Sequence, residues 1–241
     1  MPSWLTHLNR EIVACELCPR LRRHCEKVAR EKRRAYMDWD YWGKPVPGFG
    51  DPDARVLVLG LAPGAHGSNR TGRPFTGDGS GYFLYRVLHS AGFASQPAAT
   101  HKDDGLKLKD LFITAVARCA PPGNKPTPTE LANCAPFLDR ELAGLKKVTV
   151  VVALGKIAFD RYLAALKRAG VLNSRSGLTF AHGARYRLPH GVTLLCSYHP
   201  SLQNTNTGKL TEKMLLDVFR AAARIAARGK RATTPTGAAP R

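Results

Sequence analysis

Six cysteines are the most chemically specific feature of the chain, and their spacing sorts them. Cys15 and Cys18 form a C-x2-C pair that brings two thiolates within reach of one metal centre, while Cys119 and Cys134 bracket a proline-rich loop and the start of a helical stretch. Four soft ligands select Zn²⁺ or an iron–sulfur cluster, and spacing alone does not separate the two. The competing reading, four plain buried thiols, leaves unexplained why all of them flank the ends of elements. Cys25, among charges and without an evident partner, and Cys196, inside an apolar run, read as ordinary buried residues.

Three further segments carry residues able to do chemistry. Gly60-Leu61-Ala62-Pro63-Gly64-Ala65-His66-Gly67 has little side-chain bulk, so its backbone amides can approach a ligand closely. It lacks the G-x-x-x-x-G-K-[ST] pattern and is not expected to run into a helix, which argues against a nucleoside-triphosphate site. Asn69–Asp78 then places one aromatic, Phe75, and one acid, Asp78, among polar and glycine neighbours. Phe75 suits a stacking platform for a base and equally suits loop packing. In Ser197–Ser201, His199 can donate a hydrogen bond to developing negative charge or act as acid or base, although a lone histidine at a strand end is more often structural.

The elements that must position these segments follow from periodicity. Apolar, β-branched runs at Arg55–Leu59, Phe112–Val116, Val148–Leu154 and Val192–Ser197 predict buried strands. Helices are predicted over Gly81–Ala91, from Thr127, over Ile157–Ala169 and over Glu212–Ala227. Thr127-Pro128-Thr129-Glu130 supplies a capping-box threonine, a proline at the first helical position and a glutamate at the third. Strands alternating with helices give a mostly parallel sheet covered on both faces, with ligands beyond the carboxyl ends of the strands. The unusual segments all follow strands, so they are expected to converge on one edge. Residues 1–227 read as one domain, and residues 228–241, rich in Pro, Gly, Thr and basic residues, as a disordered tail.

Composition bounds the partner. Thirty-seven Lys and Arg against 18 Asp and Glu leave a formal charge of +19, which self-repels unless a polyanion belongs to the working state. Nucleic acid is the expected partner; no apolar window approaches the roughly 18 residues of a membrane span. Part of the charge lies on the basic stretch Pro19–Arg34, which also reads as a solvated helix face. The N-terminus has no secretion-signal pattern, so a cytoplasmic location with reduced cysteines is expected.

Three ordered motifs, GLAPGAHGSNRTGRPFTGDGSG (Gly60–Gly81), ITAVARCAPPGNKPTP (Ile113–Pro128) and HPSLQNTNTGKLT (His199–Thr211), together with the early C-x2-C pair, resemble the family 5 uracil-DNA glycosylases, the UDGb type. The resemblance spans about Cys15 to Thr211. It implies a single-domain three-layer α/β/α fold around a four-stranded, mostly parallel sheet, and a [4Fe-4S] cluster on Cys15, Cys18, Cys119 and Cys134. It also implies a monomeric, monofunctional enzyme that extrudes uracil from DNA, double- or single-stranded, and cuts its glycosidic bond. Gly60, Ala62, Gly64, Ala65, His66, Phe75 and Ala115 would form the base pocket, with Phe75 stacking on the base. Asp78, Asn124 and His199 would be the catalytic groups. Arg70, Arg73, Ser201, Leu202, Gln203, Asn204 and Lys209 would contact DNA, with Leu202 or Gln203 as the wedge.

Two positions depart from related families. Leu61 and Ala62 stand where others carry an acid or amide, which leaves Asp78 as the nearest group to orient water or counter sugar charge. Ala115 stands where family 4 has an asparagine that reads the base edge, so broader base choice, including hypoxanthine, is expected. The missing acid also supports a rival reading, a non-catalytic iron–sulfur protein that binds lesions without cutting them.

Overall fold

Burial on both faces turns the four apolar runs into a parallel sheet. In the computed structural model, which describes residues 1–232, these strands are β2 (Val56–Gly60), β3 (Leu111–Ala115), β4 (Val150–Leu154) and β6 (Thr193–Ser197). β2 pairs with both β3 and β4, and β4 with β6, all parallel. The register sets Gly60 beside Ala115 and Leu154 beside Ser197, so the segments leaving these strands emerge at one edge.

The sheet has six strands rather than the expected four, in the order β1-β3-β2-β4-β6-β5. The additions, β1 (Phe49–Gly50) and β5 (Arg185–Arg187), are short antiparallel edge strands. Neither carries an apolar run, because an edge strand buries little, and the arginines of β5 blunt that edge against pairing with other chains.

Helices cover both faces. α4 (Gly79–Ser90) and α8 (Glu212–Ala232) pack Leu84, Val87, Leu215 and Phe219 onto Val56, Val58, Val150 and Val152. α5 (Pro128–Gly144) and α6 (Lys156–Arg168) pack Leu131, Leu138, Phe159 and Tyr162 onto Leu57, Leu59, Val151 and Ala153. Alternate strand residues thus feed opposite cores, and each such buried side chain contributes about 1.5–3 kcal/mol. The Thr127 capping box forms in both halves at the start of α5. α4 begins two residues earlier than expected because Asp78 caps it, its carboxylate accepting from the Gly81 amide at 2.9 Å. α8 runs past Ala227 to Ala232, so the expected tail starts as helix; residues 233–241 lie outside the described residues.

Two N-terminal helices pack against this frame. α1 (Ser3–Val13) buries Leu5, Leu8 and Ile12, and sets the Trp4 ring over Gly144 of α5. α2 (Pro19–Glu31) is more than a solvated basic face, for it buries Leu21, Arg22 and Cys25. Arg22 is only 6% exposed, pairs with Glu16 and Glu26, and donates to the Gly43 carbonyl at 3.0 Å. Arg20 grips the carboxylate of Glu130 through two bonds of 2.7 and 2.8 Å, fastening α2 to the capped end of α5.

Candidate active site

The three strand-end segments do meet, around a cavity of about 560 Å³. Ala115 lines it, whereas Gly60, expected in the base pocket, stands beside Ala115 in the sheet but under the Phe75 ring and not on the cavity. The Phe75 ring lies so close over Gly60 that a Cβ there would come within 2.9 Å of it, which is why that strand ends in glycine. Phe75 holds this place with φ at +51°, a left-handed conformation costly for a bulky residue and characteristic of functional sites. His199, from the segment after β6, sits 5.7 Å from the Phe75 ring at a tilt of 31°. The two rings touch each other, so an incoming base would lie beside the pair rather than between them.

Burial depresses the His199 pKa to about 4, so its imidazole is neutral at physiological pH and offers one N–H. Its backbone carbonyl accepts from the Asn204 side chain at 2.8 Å. Asp78 caps α4 with one carboxylate oxygen and turns the other against the first loop. A Cβ at Gly67 would come within 2.0 Å of that oxygen, so the loop's glycine is required by the carboxylate. Desolvation raises the Asp78 pKa, opposed by the amides of Gly81 and Ser80 and the charge of Arg70. Asn124, at the end of a 3-10 turn (Pro122–Asn124), reaches the cavity from the exposed lip with φ at +57°, a conformation asparagine tolerates.

Ala62, Gly64, Ala65, His66, Ser201, Leu202 and Gln203 all line the same cavity. Leu202 is 56% exposed at its mouth, in the short helix α7 (Leu202–Asn206). Ser201 and Asn204 are engaged internally, as the cap of α7 and as a prop for His199. Lys209 is exposed, its ammonium 4.9 Å from the centre of the Tyr198 ring.

Three expectations are corrected. The first loop does run into a helix, the one-turn α3 (Ser68–Thr71), whose formation turns the Asn69, Arg70 and Thr71 amides inward onto Gly64 and Gly67 carbonyls. Arg70 and Arg73 do not face DNA. Arg70 is 2% exposed, set in the corner formed by the edge-to-face Tyr36 and Trp39 rings, and bonded to the carbonyls of His66 and Gly77. Arg73 is 3% exposed and held by Asp104 in a two-pronged ion pair. Sequence shows an arginine's charge but not the carbonyls and carboxylates waiting for it.

Five of the six cysteines gather where α2, α5 and the segment after β3 meet, Cys196 lying apart in β6, and none forms a disulfide. Cys18 and Cys119 pack with Leu21 and Ala120, and Cys15 lies against Ile12 and Phe137. Cys18, Cys119 and Cys134 are near enough to act on one another electrostatically, and Cys15 on Cys18. Asn133 donates to the Cys18 sulfur at 3.4 Å. Cys25 has a partner after all: it is buried beside Cys119 with its thiol directed at the Ala120 carbonyl. Among the described residues no three Cys, His, Asp or Glu side chains converge tightly enough to hold a single metal ion.

Reasoning from sequence missed the segment Tyr36–Pro45. Tyr41 in it hydrogen-bonds the His66 ring at 3.1 Å, and Val46 beyond it lines the cavity. No motif or periodicity marks this stretch.

A sheet with a parallel core and a cavity roomy enough for an extruded base at its carboxyl edge, walled by an aromatic ring and a neutral histidine, fits an α/β protein of the uracil DNA glycosylase superfamily. The model of that superfamily matches residues 47–223, and the chain belongs to it. Within the superfamily it falls with the type-5 enzymes. It is 54% identical to the type-5 uracil-DNA glycosylase of Thermus thermophilus, over 89% of this chain and 95% of that one. It is 42% identical to the type-5 enzyme of Pyrobaculum aerophilum, over 92% of this chain and 93% of that one. Likeness to the type-4 uracil-DNA glycosylase of Thermotoga maritima is lower, 29% over 73% of this chain. Among the described residues no helix is long and apolar enough to cross a membrane.

Proposed function

We propose that the protein excises uracil from DNA by hydrolysing the bond between base and deoxyribose. The observation that carries this reading is the contact of Phe75 with a neutral His199 on one cavity at the carboxyl edge of the sheet. A nucleotide rotated out of the duplex places its base against Phe75, at an unstacking cost of a few kcal/mol that is least at a mismatch. The C1′–N bond then breaks with both electrons leaving on the base, and the His199 N–H stabilises the charge that gathers on the ring carbonyl. Water adds to C1′, oriented by Asp78 or Asn124, and its proton ends on the departing base. The reaction needs no lysine nucleophile, and none of the described residues lining the cavity is a lysine, so an abasic product and an intact strand are expected. Leu202, apolar and exposed at the mouth, suits the wedge that fills the vacated stack. Ala115 offers no side-chain amide to the base edge, which fits acceptance of hypoxanthine as well.

Cys15, Cys18, Cys119 and Cys134 suit an iron–sulfur cluster: they are four soft sulfur ligands, Cys18, Cys119 and Cys134 near enough to act on one another and Cys15 on Cys18, and the family resemblance favours a cluster over zinc. Such a cluster would supply cross-linking of the N-terminal helices to β3 and α5 rather than any step of the reaction. Iron and acid-labile sulfide in equal amounts in anaerobically purified protein support it; zinc without sulfide removes it.

Incubation with a uracil-containing duplex tests the activity. Free uracil and an alkali-sensitive but uncut strand are the expected products. Tight binding without release would favour the lesion-binding reading, which the glycosylase names of the relatives do not.

A further inference from the structure

Tyr41 stands behind the cavity wall: it does not line the cavity, yet its hydroxyl lies 3.1 Å from Nδ1 of His66, which does. The two rings meet edge to face, 6.1 Å apart at 81°. We propose that Tyr41 is a positioning residue that holds His66 as the Nε2–H tautomer, so that His66 presents a fixed N–H donor to an exocyclic oxygen of the extruded base. This rests on the glycosylase reading above.

The polarity of the bond follows from the two groups. A phenol is a better donor than acceptor, and a neutral imidazole has one bare nitrogen to receive it. His66 is kept neutral by desolvation first, then by the charges of Arg33, Arg70 and His24. With Nδ1 receiving the phenol proton, the imidazole hydrogen sits on Nε2, the edge left to the cavity. The donor is held rigidly. Arg70 donates to the His66 carbonyl at 2.8 Å and itself lies against both Tyr36 and Trp39, each ring centre 3.9 Å from the guanidinium. Backbone bonds from Trp42 to Arg70 and from Gly43 to Asn69 lay the Tyr41 segment against the first loop, and Arg22 of α2 secures Gly43.

Deamination replaces an amino group with a carbonyl. A fixed donor accepts the carbonyl and opposes the parent amino group, so His66 supplies the discrimination that Ala115 cannot.

Single-turnover excision from uracil and hypoxanthine duplexes, over a range of enzyme concentrations, tests this with Tyr41→Phe, His66→Gln and the double variant. Tyr41→Phe should lower the maximal rate by about three- to tenfold, the worth of one hydrogen bond, without moving the half-saturating enzyme concentration. In the His66→Gln background, which has no tautomer to fix, the same change should do nothing. No effect in the native background, or an equal effect in both, overturns the proposal. Imidazole ¹⁵N spectra give a readout independent of activity: Nε2–H is expected at His66, and Nδ1–H overturns the assignment. Absence of base release by the native protein would instead sink the glycosylase reading and the recognition role with it, while leaving the tautomer assignment standing.

Discussion

At the scale of the residue, His199 shows how burial rather than a charged partner selects a protonation state. Its pKa is held near 4 by desolvation alone, below the roughly 6.5 of an exposed histidine. The unfolded chain therefore binds a proton that the folded site refuses. The stability this site contributes is complete above about pH 6.5 and is lost as pH falls from there through the folded value near 4. Denaturation between pH 7 and 4 should show that decline, and His199→Gln should flatten it by an amount on the order of 2 kcal/mol; an unchanged slope would mean that the ring protonates freely. The same neutrality makes His199 a hydrogen-bond donor and not a cation. His199→Ala is expected to slow single-turnover excision by about 10²–10³ with duplex binding retained, and an unchanged rate removes it from the mechanism. Asp78 requires a subtler substitution because it caps α4 as well as facing the cavity. Asp78→Ala sacrifices the cap, about 1 kcal/mol. Asp78→Asn keeps a capping oxygen, so slowed excision at near-native stability would isolate its chemical role, and native rates would exclude one.

At the scale of the element, the segment after β3 carries both Cys119 and the approach to Asn124, and a buried ion pair fixes where it goes. Arg118, 2% exposed, donates to Glu141 of α5 at 2.6 Å, while Thr114 of β3 donates to the same carboxylate oxygen at 2.7 Å. Val46 meets the Arg118 carbonyl, tying in the chain that arrives from Tyr41. Removing one partner leaves an uncompensated charge in the core. Glu141→Ala should accordingly cost about 3–5 kcal/mol in urea denaturation, and a loss below about 1 kcal/mol would show that the pair contributes little. Thr127→Ala, which removes only the cap of α5, should cost about 1 kcal/mol.

At the scale of the whole molecule, the formal charge of +19 overstates what DNA meets. Arg22, Arg70, Arg73 and Arg118 are spent inside the fold on carbonyls and carboxylates. The remaining surface charge should still dominate affinity for undamaged duplex through counterion release. Raising salt from 50 to 200 mM should weaken binding by at least about tenfold, by the same factor with and without uracil. A flat salt response would mean that the positive surface is not the DNA-binding face.

The sequence by itself determined the parallel four-strand core, the capped α5 and the three motif segments, because each is a local pattern: a β-branched run, a capping box, a glycine-rich loop after a strand. It also carried the family, since long ordered motifs survive in the linear chain. The edge strands stayed hidden because two or three half-exposed residues leave no hydrophobic period. Tertiary structure alone decided which arginines face solvent, that Cys25 lies beside Cys119, and that Tyr41 backs His66. Those pairings join residues from 4 to more than 90 positions apart, and what a charged or polar side chain does depends on the partner that folding brings within about 3 Å of it, which spacing along the chain does not encode.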